Sequence, residues 1–413
     1  MLLSHLLKRV IVVGTLRVID ADGGIHVFSG DAGPQVTIRL HNRALHTKLF
    51  FNPDLYVGEA YMDGGLTIEE GTLSGFLEIL TRNLKLLQAQ PFYAAYECGS
   101  QLFRRWQQYN PLSLARRHVK HHYDLPDELF EQFLDPDRHY SCAYFQDPGD
   151  DLIMAQANKQ RHLAAKLLLE PGHRVLDVGS GWGGLALHLV RMTGSKVTGL
   201  TLSDQQMIVA NRRAAELGLG ERARFHVRDY REETGTYDRI VSVGMFEHVG
   251  VNHYPEYFST LGKLLTDEGV GVIHTIGRMV GPASTCAWIR KYIFPGGYAP
   301  ALSEIVAAVE ASGLWITDIE VLRLHYAETL LAWRRRFEAN RANISKRFDE
   351  RFCRMWEFYL ALSEAAFRHG DHVVYQVQLA KRRNTVPLTR DYITAWERAN
   401  PLEAASSPAT RTA

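Results

Sequence analysis

The sequence predicts an α/β protein: a doubly wound, Rossmann-like domain with a smaller N-terminal α+β domain ahead of it. Three observations predict this. From about residue 150, strand-like and helix-like segments alternate, as a parallel sheet with crossover helices requires. Within that run, VLDVGSGWGG (175–184) is a strand, a glycine-rich turn and a helix start. Before it, residues 10–51 carry β-branched clusters (VIVVGTLRVI, IHVF, QVTIRL, KLFF) broken by DADGG and SGDAGP, the pattern of short strands and hairpins.

The elements follow in order. The apolar positions Leu73, Phe76, Leu77, Leu80, Leu84 and Leu87 recur at helical spacing, so 73–88 is expected to be a helix. A helix over 150–170 ends at Pro171-Gly172. Strands are expected at HRVLDVG, KVTGLTL, RFHVRDY, YDRIVSVGMFE and GVGVIHTI. Helices should lie between them, at LALHLVRMTG, SDQQMIVANRRAAELGL and 254–265. A long helix is expected over 343–368, with Ile344, Phe348, Phe352, Met355, Phe358 and Leu362 on one stripe. The Ala-, Ser- and Thr-rich end reads as disordered. These signals divide the chain into 1–118 (α+β domain and basic connector), 119–395 (the α/β domain) and 396–413 (tail).

Bulk properties narrow the function classes. A net charge of +1 gives no global attraction to nucleic acid, so none is expected as a partner. Four cysteines, at 98, 142, 286 and 353, form no CxxC and are too few for a disulfide scaffold, which points to a reducing, cytoplasmic compartment. The start, MLLSHLLKRVIVVGTLRV, lacks a signal peptide's unbroken apolar core. No run reaches the ~18 apolar residues of a membrane span.

The glycine-rich turn carries the first functional reading. Gly179, Gly181 and Gly183 let the backbone pass close to a ligand, and the helix start offers free N–H groups. Asp177 sits just before them, where it would repel a diphosphate but attract an ammonium or sulfonium. That favours S-adenosylmethionine over a dinucleotide. Asp229 and Tyr230 follow the third strand and suit an adenine amino group and ring. The second strand ends in Thr201, not in an acid, so Thr201 and Gln206 would hold a ribose through neutral hydrogen bonds.

Seven ordered motifs then carry a resemblance: YSCAYF (140–145), LDVGSGWGG (176–184), GLTLSDQQ (199–206), RIVSVGMFEHVG (239–250), HTIG (274–277), KYIFPGGY (291–298) and HYAETLLAW (325–333). Together they resemble the cyclopropane-fatty-acyl-phospholipid synthases, over about 120–380. VGEAYMDGG (57–65) resembles the short leading domain of the phospholipid-acting members. Ser180 is a departure, standing where that pattern carries Cys.

The resemblance implies a class I methyltransferase fold and a two-stage reaction. An acyl double bond takes the methyl of S-adenosylmethionine, and a carbocation forms. A proton then leaves the transferred methyl and the ring closes. It implies bicarbonate as the base, held by Cys142, Glu247, His274, the backbone of Ile276, and Tyr326. It places Tyr140, Ser141, Gly179, Gly181, Thr201, Gln206, Tyr230 and Gly244 around the cofactor. It further implies an unsaturated phospholipid substrate, peripheral attachment to the inner face of the cytoplasmic membrane, and a homodimer. The residue types agree, since aromatic faces stabilise a cation without bonding to it, by ~0.5–2 kcal/mol each. The near relatives that stop at a methyl- or methylene-branched chain share these residues. Amine N-methylation needs no such anion trap.

Blander roles stand beside these. Cys142 alone would be a small buried hydrophobe, His274 a core histidine, and Glu247 a cap for the helix after it. The flanking motifs and the positions of His274 and Glu247 at strand ends favour the site. Arg104, Arg105, Arg116, Arg117 and Lys120 make 98–123 either an exposed amphipathic helix or a patch for anionic lipid, at ~1 kcal/mol per near-surface cation. His118, His121 and His122 lack a cysteine or acid at ligand spacing, so no metal is expected.

Overall fold

The computed structural model describes residues 2–91, 93, 99 and 126–402. The basic stretch from Arg104 to Lys120, Cys98, the boundary at 118 and the chain beyond 402 lie outside the described residues.

The N-terminal unit is a four-stranded sheet flanked by helices. Its strands are β1 (Val13–Ile19), β2 (Ile25–Ser29), β3 (Asp31–Leu40) and β4 (Leu66–Glu70), in the order β2-β1-β3-β4. Two segments differ from expectation. Residues Leu2–Val10 form a helix ahead of the first strand. KLFF, expected as a strand, ends the helix Ala44–Phe51. Leu45 and Leu49, four residues apart, bury one side of that helix, and the Asn42 side chain accepts from the Ala44 N–H at 2.8 Å to start it. Tertiary burial thus overrides the strand preference of two adjacent phenylalanines.

The second sheet holds β5 (Arg174–Val178), β6 (Lys196–Thr201), β7 (Ala223–Val227), β8 (Tyr237–Val243), β9 (Leu265–Arg278), β10 (Trp315–Val321) and β11 (His372–Ala380). The order is β10-β11-β9-β8-β5-β6-β7. The five expected strands are mutually parallel, and β11 runs antiparallel between β9 and β10. The strand order reverses at β5, between β6 and β8, so the carboxyl end of β5 opens a crevice. Side chains cap the helix starts: Asp151 accepts from the Met154 N–H at 2.8 Å, and Ser203 from the Gln206 N–H at 3.3 Å. The long helix expected over 343–368 is two, Arg341–Ile344 and Glu350–Arg368, because Asp349 caps a fresh start on the Phe352 N–H at 2.7 Å. The tail also begins later than residue 396. The helix Asp391–Ala399 is docked by Glu397, whose carboxylate lies 2.7 Å from His162 Nδ1, and by Trp396 against the core.

The two units share one hydrophobic core. It runs from Leu16, Val36 and Leu66 to Trp288, Trp333 and Trp356. VGEAYMDGG sits at this junction. The Trp288 indole N–H donates to Met62 Sδ at 3.1 Å, Arg354 lies over the Tyr61 ring, and Asp63 pairs with Arg351 at 2.7 Å. Gly58 is required by close approach, since a β-carbon there would fall inside the Trp288 indole. Gly58→Ala is therefore expected to destabilise by about 1–3 kcal/mol through overpacking. The measurement is urea unfolding, and an unchanged midpoint would contradict this packing.

Candidate functional site

The turn after β5 is fastened before it meets any ligand. The Gly179 and Ser180 N–H groups both donate to the Leu200 carbonyl, at 2.9 and 2.8 Å. All three turn glycines have positive φ, a region that L side chains rarely adopt. Their surroundings differ. A β-carbon on Gly181 would meet open space, whereas one on Gly183 would lie 2.8 Å from Phe225 and 3.0 Å from Ala210. Gly183 therefore serves helix–strand packing. All the other predicted cofactor residues line one cleft of about 150 Å³ at this switch point.

The cleft is polar at its floor. Asp177 is buried, with Oδ2 lacking a hydrogen-bond partner, and burial pushes its carboxyl up to about 7. Lys159, which no motif signalled, is buried beside it and donates to Ser141 Oγ at 2.9 Å. Burial pushes that ammonium down to about 8, against the pull of Asp135, Cys142 and Asp177. An acid that binds an ammonium or sulfonium gains its charge where Asp177 stands. The Thr201 hydroxyl donates to Gln206 Oε1 at 2.7 Å, so the two form a preset neutral pair. Asp229 differs from expectation: Arg231 takes both its carboxylate oxygens, Nε to Oδ1 and Nη2 to Oδ2, each at 2.8 Å. A carboxylate keeps further lone pairs for an amino group, but its charge is already matched. Tyr230 stands edge-on to Tyr257 at 5.2 Å.

A second cavity, about 1220 Å³, adjoins the first. Cys142, Glu247, His274, Ile276 and Tyr326 all line it. Its far walls include Leu3, Leu7, Leu40 and Leu66 of the N-terminal unit. That volume exceeds the ~300–1,000 Å³ of ordinary small-molecule sites, and its apolar walls suit a long chain. Tyr140, Ser141, Gly244 and His248 line both cavities, so these residues form the boundary where the two meet.

The polar groups beside this boundary are incompletely matched. Glu247 Oε1 accepts from the Ile276 N–H at 2.7 Å, while Oε2 has no partner among the described residues. Burial pushes this carboxyl up to about 7 against the Ile276 N–H and the nearby Thr275 hydroxyl, which itself turns to the Ile276 carbonyl at 3.1 Å. The Ile276 amide is thus engaged in holding Glu247 and not free for an anion. His274 is buried, and burial holds its pKa well below the usual value, so the ring is neutral. Its Nδ1 lies 3.2 Å from Gln376 Nε2, and its Nε2 has no partner. With Gln376 donating, the ring proton sits on Nε2. Gln376, on β11, was outside every motif. Cys142 is a buried neutral thiol whose Sγ donates to the Ala143 carbonyl at 3.2 Å, and burial raises its pKa. Cys142, Cys286 and Cys353 are free thiols. Aromatic rings close the site. Tyr140 stacks on Trp333 at 5.2 Å and its hydroxyl lies 2.8 Å from that of Tyr359, while Tyr326 meets Phe367 at 4.7 Å.

The comparisons with known proteins agree with this architecture. The family model described as mycolic acid cyclopropane synthetase matches residues 112–377. The tuberculostearic acid methyltransferase UfaA1 of Mycobacterium tuberculosis is 35% identical over 393 residues, covering 92% of this chain and 90% of that protein. The cyclopropane-fatty-acyl-phospholipid synthase of Escherichia coli K12 is 36% identical over 347 residues, covering 83% and 87%. Among solved structures, the mycolic acid cyclopropane synthase CmaA1 complexed with SAH and CTAB matches with a TM-score of 0.62 and 32% identity, over 66% of this chain and 99% of that one. Coclaurine N-methyltransferase, at 17% identity and a TM-score of 0.65, covers 79% of this chain and 99% of its own and shares the fold. The chain belongs to the mycolic acid cyclopropane synthetase family: it is an S-adenosylmethionine-dependent methyltransferase homologous to cyclopropane-fatty-acyl-phospholipid synthases.

Proposed function

We propose that the protein adds a methylene from S-adenosylmethionine across the cis double bond of an unsaturated phospholipid acyl chain, closing a cyclopropane ring. One observation carries this reading: a small cleft floored by Asp177 and Lys159 and a lipid-sized cavity share Tyr140, Ser141, Gly244 and His248 in their walls, beside the unmatched Glu247 Oε2 and His274 Nε2. When bound in the cleft, S-adenosylmethionine supplies an electrophilic methyl. Asp177 would face its charged end, Thr201 and Gln206 its ribose, and Tyr230 its adenine. The apolar cavity keeps water from the carbocation, and Tyr140, Tyr326 and Tyr359 offer it ring faces.

The methyl proton must then leave. The unmatched pair fits a small oxyanion that is itself an acid, because Glu247 Oε2 accepts and His274 Nε2–H donates. Bicarbonate has that donor set, and bound there it would supply the base. The chain's own part is to hold and orient: Ile276 fixes Glu247, Gln376 fixes the His274 tautomer, and Cys142 stays neutral and un-alkylated. On this reading the enzyme works in the cytoplasm as a peripheral protein and homodimer at the inner membrane face. The lipid-sized cavity and the family resemblance support that placement. No described helix is long and apolar enough to cross a membrane.

The test is expression in a host lacking cyclopropane lipids, followed by mass spectrometry of its fatty acids. A gain of one CH2 with loss of the double bond is expected. A saturated methyl-branched or methylene-bearing chain would replace ring closure with branching. Unchanged lipids would overturn the lipid reading.

A further inference from the structure

The wall of the large cavity contains a cation that the reaction does not use. On β9, His274, Ile276 and Arg278 alternate onto one face, and their cross-strand partners on β11 are Gln376, Val374 and His372. The contact between His274 and Gln376 confirms that this row shares a face. All but Gln376 line the large cavity. Arg278 closes the row and is only 7% exposed. Its Nε donates to the Ala299 carbonyl at 3.2 Å. Its two terminal nitrogens have no hydrogen bond or ion pair among the described residues. Asp371 is the nearby acid, and it lies 3.1 Å from His372 Nδ1 instead, short of ion-pair reach of Arg278.

A buried guanidinium with an open fork calls for an anion. Its five donors lie in a plane that fits two oxygens of a phosphate or carboxylate at once. The place also matters. The cavity walls continue into Val280, Gly281 and Pro282, which are exposed, so the cavity opens at this end. Met279, at 62% exposure, and Val280, at 44%, put apolar side chains at the rim. An apolar tail belongs deep in the cavity and a charged headgroup at its mouth. Arg278 stands four residues along the strand from His274, or about 13 Å. An extended chain advances ~1.2 Å per bond, three bonds spanning one extended residue. The fork therefore lies on the order of ten bonds from the reacting carbons, which matches a mid-chain double bond and a charge at the chain's head.

We propose that Arg278 anchors the phosphodiester of the lipid whose acyl chain occupies the cavity, and so sets how deep the double bond sits. This rests on the lipid reading above. The substrate pair that isolates it is dioleoylphosphatidylglycerol and dioleoylglycerol, presented in the same neutral detergent micelles. The wild-type enzyme should prefer the phospholipid in kcat/KM by about 10–100-fold, the range of a charged hydrogen bond. Arg278→Gln should erase that preference while leaving turnover of dioleoylglycerol and the melting temperature unchanged. Arg278→Lys, a point charge without a fork, should restore part of it. An equal fall on both lipids would make Arg278 structural and overturn the anchor, as would a preference retained in Arg278→Gln. Inorganic phosphate that inhibits dioleoylglycerol turnover in the wild type but not in Arg278→Gln would reassign the fork to free phosphate and also overturn it. Wild-type enzyme that modifies neither lipid would overturn the lipid reading itself, and the anchor with it.

Discussion

Glu247→Gln is expected to bind S-adenosylmethionine with the wild-type affinity and to lose about 10²–10⁴-fold in kcat, the range of general-base assistance. The amide oxygen still accepts from the Ile276 N–H, now 2.7 Å from Oε1, so the local fold survives. The other end becomes an NH2 group, which donates where Oε2 accepts. The negative charge that steers the proton is also gone. Isothermal calorimetry separates binding from turnover, and full activity in this variant would remove Glu247 from the mechanism. The pH dependence sharpens the test. Burial pushes the Glu247 carboxyl up to about 7, so wild-type kcat should rise through that pH and level off above it. The variant should lack this limb. Stability should move the opposite way. A folded-state value near 7 lies above the unfolded value of ~4.3, so the folded protein holds this proton more tightly. The stabilisation is complete below ~4.3 and is lost as pH rises through about 7, by up to ~3–4 kcal/mol at 1.36 kcal/mol per unit. Glu247→Gln should therefore unfold later than wild type at pH 8 and differ little at pH 5.

The parts of the fold that sequence reveals are those where backbone chemistry leaves few choices. A strand running into Gly179, Gly181 and Gly183 has one common outcome in an α/β chain. Glu247 lies in the turn after β8 and His274 toward the carboxyl end of β9, where the crevice opens. Cys142 comes from the loop before the helix Leu152–Lys166 and Tyr326 from the helix His325–Ala339. Cys142, Glu247, His274 and Tyr326 thus meet although 184 positions separate the first and last (326 − 142). The parts that escape are decided by packing partners. KLFF (48–51) reads as a strand until Leu45 and Leu49 find one side to bury in the helix Ala44–Phe51. Gly183 reads as a ligand glycine until Phe225 and Ala210 occupy its space. Asp229 reads as free until Arg231, two residues on, folds back over it. Lys159, Gln376 and Arg278 were illegible for one shared reason. A polar residue inside a helix or strand looks like a solvated surface position, and only the assembled fold shows it buried.

Lys159 is the strongest of these hidden residues, and Lys159→Met should show it. The side chain is 1% exposed, and its ammonium lies within electrostatic reach of two carboxyls, Asp135 and Asp177. Methionine fills a similar volume without charge, so packing is largely kept and the electrostatic loss is isolated. Ser141 loses its 2.9 Å partner at the boundary between the cavities. Asp177, already pushed up to about 7, loses the one cation that holds it down. Lys159 acts on Asp177 through space and not through a direct ion pair, so its removal leaves a buried carboxylate less compensated and should destabilise the fold wherever that carboxylate is charged. The loss is largest at pH 8, where wild-type Asp177 is charged and the variant must either protonate it or leave it uncompensated. At pH 5 Asp177 can take a proton and the loss should shrink. The expected signature in urea unfolding is therefore a destabilisation that grows with pH. Cofactor affinity at pH 8 should fall in parallel, since a neutral Asp177 no longer attracts an ammonium or sulfonium. A destabilisation independent of pH would mean Lys159 acts by packing alone. Unchanged affinity would take the Lys159–Asp177 pair out of the cofactor site, even though both line its floor.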